Sequence, residues 1–333
     1  MNARLALLCG ALSIVVLAAA SGDERPDRST ANSVIGTLTP ATATQPAAST
    51  SPGSTGQHFG QPDCNSQNLL ASLRPQGPLP APGQMPAGST MARIAQRGHL
   101  IVGILEDTAP FAFRDANLQP QGFDIDIARD ISAAIFGDRE RVVFRPTPEV
   151  DRLEPLRSDE VDIVVAAVTI TCQRRQQVDF STPYYEAGQR ILVNRGSGIR
   201  DLADLRGKSV CAARGSTSLT TILAAPSKPL AVGTPTETDC LMMLQLGEVD
   251  AVSTDDTLLA GMAAQDRQTE VVGPRLTSEP YAIAINKDSP DLVRFINAVQ
   301  QRRVQDGRWE ASYQRWLRKL GPPPAPPTPQ YQD

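Results

Sequence analysis

The chain has 333 residues, with 32 basic side chains against 36 acidic ones and a formal net charge of -4. That length suits about two domains, and the charge excludes the basic footprint of a nucleic-acid binder. The two histidines, His58 in a Ser/Thr-rich tract and His99 before a strand, leave no material for histidine-centred zinc or triad chemistry.

Phosphate-loop and nucleophile-elbow motifs are missing as well: Gly207-Lys208-Ser209 has Leu202 where a phosphate loop needs its first glycine. Residues 1–20 run from Met-Asn-Ala-Arg into an apolar stretch, Leu5 to Ala20, followed by Ser21-Gly22-Asp23. This is the order of an export signal with an A-x-A cleavage site. The protein is therefore expected on the extracytoplasmic face of the cell envelope, attached to the membrane at most by its N-terminus. A lipoprotein signal needs a cysteine where this chain has Ser21. Residues 21–89 read as a disordered tether, since Ser29 to Gly60 is dominated by Ser, Thr, Pro, Ala and Gly and carries no charge. Beyond the signal lie Cys64, Cys172, Cys211 and Cys240, an even count that favours disulfides over metal ligation in an exported chain. Three pairings are open. Cys211 with Cys240 is favoured because both fall in one strand-and-helix block, which leaves Cys64 with Cys172 to staple the preceding segment to the core.

Short apolar or β-branched runs at Leu100–Leu105, Arg141–Phe144, Val161–Val168, Ser209–Ala213 and Asp250–Ser253 each precede a helical pattern. Such alternation predicts an α/β fold with parallel sheet. Gly122-Phe123-Asp124 leads into a helix with Ile127, Ile131, Ala134 and Ile135 on one face and Asp124 as its N-cap. Phe111 and Phe113 read as core. A fresh series starts after the strand Arg190–Val193, and the strand Tyr281–Ile285 precedes two terminal helices marked by Leu292, Phe295, Ile296, Val299 and by Trp309, Tyr313, Trp316, Leu320. A chain that leaves one lobe, builds another and returns predicts lobe 1 from residues 90–187 plus 283–320 and lobe 2 from residues 188–282. Two connecting strands then allow hinge closure on a cleft. Residues 321–333 are rich in proline and predict an extended tail.

Three strand-to-helix junctions stand out: Ala167 to Arg174, Arg214 to Ser218 and Thr254 to Thr257. Ligands of open α/β sheets sit outside the carboxyl ends of strands, where helix N-termini offer free amides. Arg174 lies within the first of these junctions, and a guanidinium fork pairs bidentately with a carboxylate.

The run from Leu100 to Leu320 resembles the extracytoplasmic polar amino acid binding proteins of ABC importers. The carriers, in order, are Gly122-Phe123-Asp124-Ile125-Asp126, Val161-Asp162-Ile163-Val164, Thr169-Ile170-Thr171 with Arg174, Val178 through Tyr185, Asp201-Leu202 through Gly207-Lys208, Gly215-Ser216-Thr217 and Val249-Asp250-Ala251-Val252. The resemblance implies a two-lobe periplasmic-binding-protein fold of type II, a monomer with no cofactor and no covalent chemistry, and an ABC permease as partner. It also implies that Arg174 clamps a ligand α-carboxylate with Thr169, Ser216 and the Thr217 amide, while Asp255 and the Ala167 carbonyl take the α-ammonium. Arg152 stands where acidic binders of the family carry a ligand-facing arginine. Two positive charges against one negative favour aspartate or glutamate as the captured amino acid. Glu106 follows Leu105, which replaces a ligand-facing residue of the family. An acidic group there would favour asparagine or glutamine. The tether, the tail and Ser253 to Thr257 further resemble mycobacterial glutamine-binding-type members, which implies a membrane sensor protein as an alternative partner. An enzyme on the same lobes, a cyclohexadienyl or arogenate dehydratase, would need Glu149 or Glu106 as its acid.

Overall fold

The computed structural model describes residues 69–332; the export signal, Ser21, Cys64 and the tether up to residue 68 lie outside the described residues. Two five-stranded sheets form two lobes. The first sheet takes its strands in the order Val142–Pro146, Leu100–Ile104, Ile163–Val164, Ala284–Ile285, Asp179–Phe180. The second takes Leu230–Thr234, Ser209–Ala213, Ala251–Asp255, Gln189–Asn194, Thr269–Val272. Each has a parallel part, as expected, but Ala284–Ile285 and Gln189–Asn194 run antiparallel to both of their neighbours. The sheets are thus mixed where a parallel sheet was expected. The reason is directional: the parallel strands point their carboxyl ends at the cleft, whereas a strand arriving from the other lobe starts at the cleft and runs away from it. Parallel pairing also requires a crossover connection, and these two strands do not follow one. The two connections themselves pair, Tyr185–Ala187 against Glu279–Tyr281.

The helix Phe123–Phe136 buries Ile127, Ile131 and Ile135 against the first sheet. Its N-cap is Gly122 rather than Asp124. A β-carbon at that position would stand 2.1 Å from the Phe111 carbonyl oxygen, with φ at +129°, so the chain there requires glycine. The terminal helices Pro290–Gln305 and Arg308–Trp316 return to the first lobe and bury Leu292, Phe295, Ile296, Val299, Trp309 and Tyr313. Phe111 is fully buried among Phe123, Tyr185 and Tyr281 in edge-to-face contacts, whereas Phe113 is partly exposed and meets Trp316. The second lobe has its own core, in which the Cys211–Cys240 disulfide ties the strand Ser209–Ala213 to the helix Glu237–Gln245. Cys172 is disulfide-bonded as well.

Residues 69–89, assigned to the tether by composition, run along the first lobe. Arg175 donates to the carbonyls of Leu69 and Ala71, Ser72 Oγ to the Phe180 carbonyl at 2.7 Å and Asn297 Nδ2 to the Leu73 carbonyl at 2.7 Å. The Pro-rich tail is extended as expected and docks beside them: Ser72 N donates to Gln330 O at 3.0 Å, and the Arg74 guanidinium lies over the Tyr331 ring. Leu69 and Leu70 pack against one apolar cluster of this lobe and Leu73 against the other.

Candidate functional site

Four strand ends converge between the lobes. Ala167 and Thr169 follow Ile163–Val164, Ser216 and Thr217 follow Ser209–Ala213, Glu237 follows Leu230–Thr234, and Asp255 ends Ala251–Asp255. Together with Arg152 and Glu149 they line one cavity of about 20 Å³, room for roughly one water. A ligand larger than a water molecule therefore enters only when the lobes part.

Arg174 stands beside this cavity rather than in its lining. It shares Thr169, Ser216 and Thr217 with the cavity and faces a neighbouring hollow of about 300 Å³. Thr171 caps its short helix by accepting from the Arg174 amide at 3.2 Å. The guanidinium donates to Thr169 O at 2.9 Å in the first lobe and to Gly215 O at 3.1 Å in the second. A guanidinium has five N–H donors, so three remain beyond these two bonds. Burial, and then the neighbouring Arg152, lower its pKa to about 9, which keeps it charged at neutral pH.

Asp255 occupies the N-cap position of the helix Asp256–Gln265, yet its side chain makes no capping bond. Tyr281 OH donates to its Oδ2, while Oδ1 is buried without a protein partner. Burial, and then Glu279, push the Asp255 carboxyl up to about 8. Thr217 Oγ1 donates to Glu279 at 2.9 Å, and Ser216 Oγ caps its helix by accepting from Leu219 N at 3.0 Å. Ala167 has φ +47°, a conformation that costs a non-glycine residue energy. Asp124 holds it there, accepting from Ala167 N at 2.9 Å and from Tyr184 OH at 2.8 Å. The side chain expected to cap a helix thus braces the cleft wall, and burial raises its pKa to about 6.

Arg152 is in the cavity, as expected of a ligand-facing residue, but its charge is matched. Glu149 meets it with both carboxylate oxygens, at 3.0 and 3.1 Å, and Arg152 Nη1 also donates to Ala166 O at 2.9 Å. Arg152 Nε is buried without a partner. Glu237 faces the same space: its Oε1 accepts from Thr254 Oγ1 at 3.0 Å, and its Oε2 is buried without a partner. Burial, and then Glu149, hold the Glu237 carboxyl well above the usual carboxylate range. The count of two positive charges against one negative omitted Glu149. Glu106 is not brought to the cavity. It pairs with Arg114 and faces a separate hollow, while Asp107 accepts from the Glu237 amide at 3.0 Å across the lobes. Glu237 had a readable signal: the capping box of Thr236 and Asp239 marks a fourth strand-to-helix junction. Among the described residues, no group of three or more His, Cys, Asp or Glu side chains is placed to hold a metal ion.

Residues 100–319 match the bacterial extracellular solute-binding proteins, family 3, and the chain belongs to this family. It is 32% identical over 253 residues to the ABC transporter glutamine-binding protein GlnH of Bacillus subtilis, covering 75% of this chain and 93% of that one. It is 26% identical over 253 residues to the glutamate/aspartate import solute-binding protein of Salmonella typhimurium, covering 72% and 83%. Among solved structures, it is similar to an ancestral amino acid-binding protein described as a precursor of cyclohexadienyl dehydratase. That likeness has a TM-score of 0.63 at 32% identity and covers 68% of this chain and 99% of the other. Among the described residues, no helix is long and apolar enough to cross a membrane.

Proposed function

We propose that this solute-binding protein captures L-glutamine by closing its two lobes and delivers it to an ABC permease. In this reading Arg174 takes the α-carboxylate with the Thr217 amide, and Asp255 and the Ala167 carbonyl take the α-ammonium. The observation that carries the choice of side chain is the closed ion pair of Arg152 with Glu149. With Arg152 already neutralised, a ligand carboxylate beside it would be a buried charge without a counter-ion, which costs several kcal/mol. A carboxamide brings no charge. Its oxygen accepts from the unpaired Arg152 N–H, and its NH₂ donates to the unpaired Glu237 oxygen, so both buried groups gain the partners that buried polar atoms require. The 32% identity to a glutamine-binding relative supports the same choice.

A thermal-shift screen of the exported chain against the twenty amino acids and prephenate tests this. A ligand at 100 times its Kd adds about 2.7 kcal/mol, so glutamine should give the largest shift. A lead for aspartate or glutamate would mean that Arg152 releases Glu149 on binding, and a lead for arginine would mean that Glu237 ionises. Turnover of prephenate would overturn the reading of a protein without covalent chemistry. In this structure Glu149 has both oxygens on Arg152, and Glu106 is outside the cavity.

A further inference from the structure

The helix Asp256–Gln265 belongs to the second sheet's lobe, yet its Leu258 packs into the hydrophobic cluster of the first lobe. Residues three apart on a helix share a face, which puts Gly261 against the same lobe. A β-carbon at 261 would stand 2.1 Å from the carbonyl oxygen of Ala109 and 3.0 Å from its carbon, far inside the contact distance of about 3.5 Å. The obstructing atoms are backbone, so no side-chain rotation relieves them. Two residues earlier, Asp107 accepts from the amide of Glu237 at 3.0 Å, so the segment 107–109 touches the second lobe twice. Pushing Ala109 away by more than 1 Å therefore also parts Asp107 from Glu237, and Glu237 lines the ligand cavity.

We infer that Gly261 is a closure-determining residue: its missing side chain lets the two lobes meet, and alanine there holds the cleft open. Gly215 forms a comparable close approach, to Val150 Cα at 2.5 Å, but its φ of +86° makes any substitution strain the second lobe by itself. Gly261 lies within an ordinary helix, where alanine is the favoured residue. The substitution Gly261→Ala thus bears on the closed arrangement and leaves the lobe that carries it intact. The inference rests on the reading that amino acid capture closes the lobes.

The test uses the exported chain with spin labels at Leu118→Cys and Leu223→Cys, two exposed positions on opposite lobes. The distance between the labels is measured by pulsed electron resonance with and without each of the twenty amino acids, and Kd by calorimetry for those that bind. The expected result is a distance that narrows in the parent protein and stays wide in Gly261→Ala, a Kd at least tenfold weaker, and a ligand-free melting midpoint equal to or above the parent's. Equal narrowing and a Kd within twofold of the parent would overturn the role of Gly261 alone. A lower ligand-free midpoint would also overturn it, because the second lobe itself would then need the glycine. A parent protein that never narrows with any of the twenty would overturn the capture reading, and this inference with it.

Discussion

Replacing Arg174 by alanine removes a cation that bonds to both lobes beside the cavity. Two of its N–H groups are engaged, on Thr169 O at 2.9 Å and on Gly215 O at 3.1 Å, and in the proposed reading two of the remaining three meet the ligand carboxylate. Each hydrogen bond to a charged group contributes about 1.5–3 kcal/mol, so a forked pair contributes about 3–6 kcal/mol. At 1.4 kcal/mol per decade, this predicts a Kd weaker by roughly 10² to 10⁴. Arg174→Lys should keep the charge and lose the fork, and so fall between the parent and the alanine variant. Calorimetric titration with glutamine reads the change directly. The bond to Gly215 makes the variant informative a second way, since its loss should also widen the ligand-free lobe separation measured by small-angle scattering. A Kd within tenfold of the parent for Arg174→Ala would refute the assignment of Arg174 to the α-carboxylate.

Asp255, with its carboxyl raised to about 8, carries a proton at pH 7 in the free protein and must lose it to face an ammonium group. Binding is therefore expected to release close to one proton at pH 7, and to strengthen about ninefold from pH 6 to 7 and about fivefold from pH 7 to 8. Binding enthalpies that do not depend on the buffer's ionisation enthalpy would exclude this. Asp124 titrates near 6 in the folded protein against 3.8 for the free side chain. The folded state thus binds more protons than the unfolded one between those values, and this group's contribution makes stability fall as pH rises through that window. The two-unit difference corresponds to about 3 kcal/mol, to be read as the gap opening between urea melts of the parent and Asp124→Asn from pH 4 to pH 7. Parallel curves would remove Asp124 as its source. Glu237→Gln is expected to weaken glutamine less than tenfold, because a neutral carboxyl and a carboxamide both offer a donor and an acceptor, whereas Glu237→Leu should cost about 1–3 kcal/mol by leaving the ligand amide unpaired. Equal affinities for these two variants would take Glu237 out of the ligand's reach.

Much of this architecture was legible locally. Periodicity marked the strands Leu100–Ile104 and Ser209–Ala213 and the helix face of Ile127, Ile131 and Ile135, because burying one face of an element leaves a repeat in the sequence. The rule that ligands gather at the carboxyl ends of strands found Ala167, Thr169, Ser216, Thr217 and Asp255, all of which line one cavity. It would have found Glu237 had it been applied to Leu230–Thr234. The pair Glu149 and Arg152 lies three residues apart and left a local trace, but spacing alone does not say that both oxygens of the one are spent on the other. Charge balance in a cleft is a sum over residues from distant parts of the chain. The amide of Glu237 meets Asp107 across 130 positions, and the backbone of Ala109 fills the space that Gly261 leaves. The sequence by itself determined the two-lobe α/β fold and the strand ends that converge on one cavity, since both follow from local pattern. Only the tertiary structure decided which charges in the cleft are already matched, because neutralisation depends on distances of a few ångströms between groups that no periodicity relates.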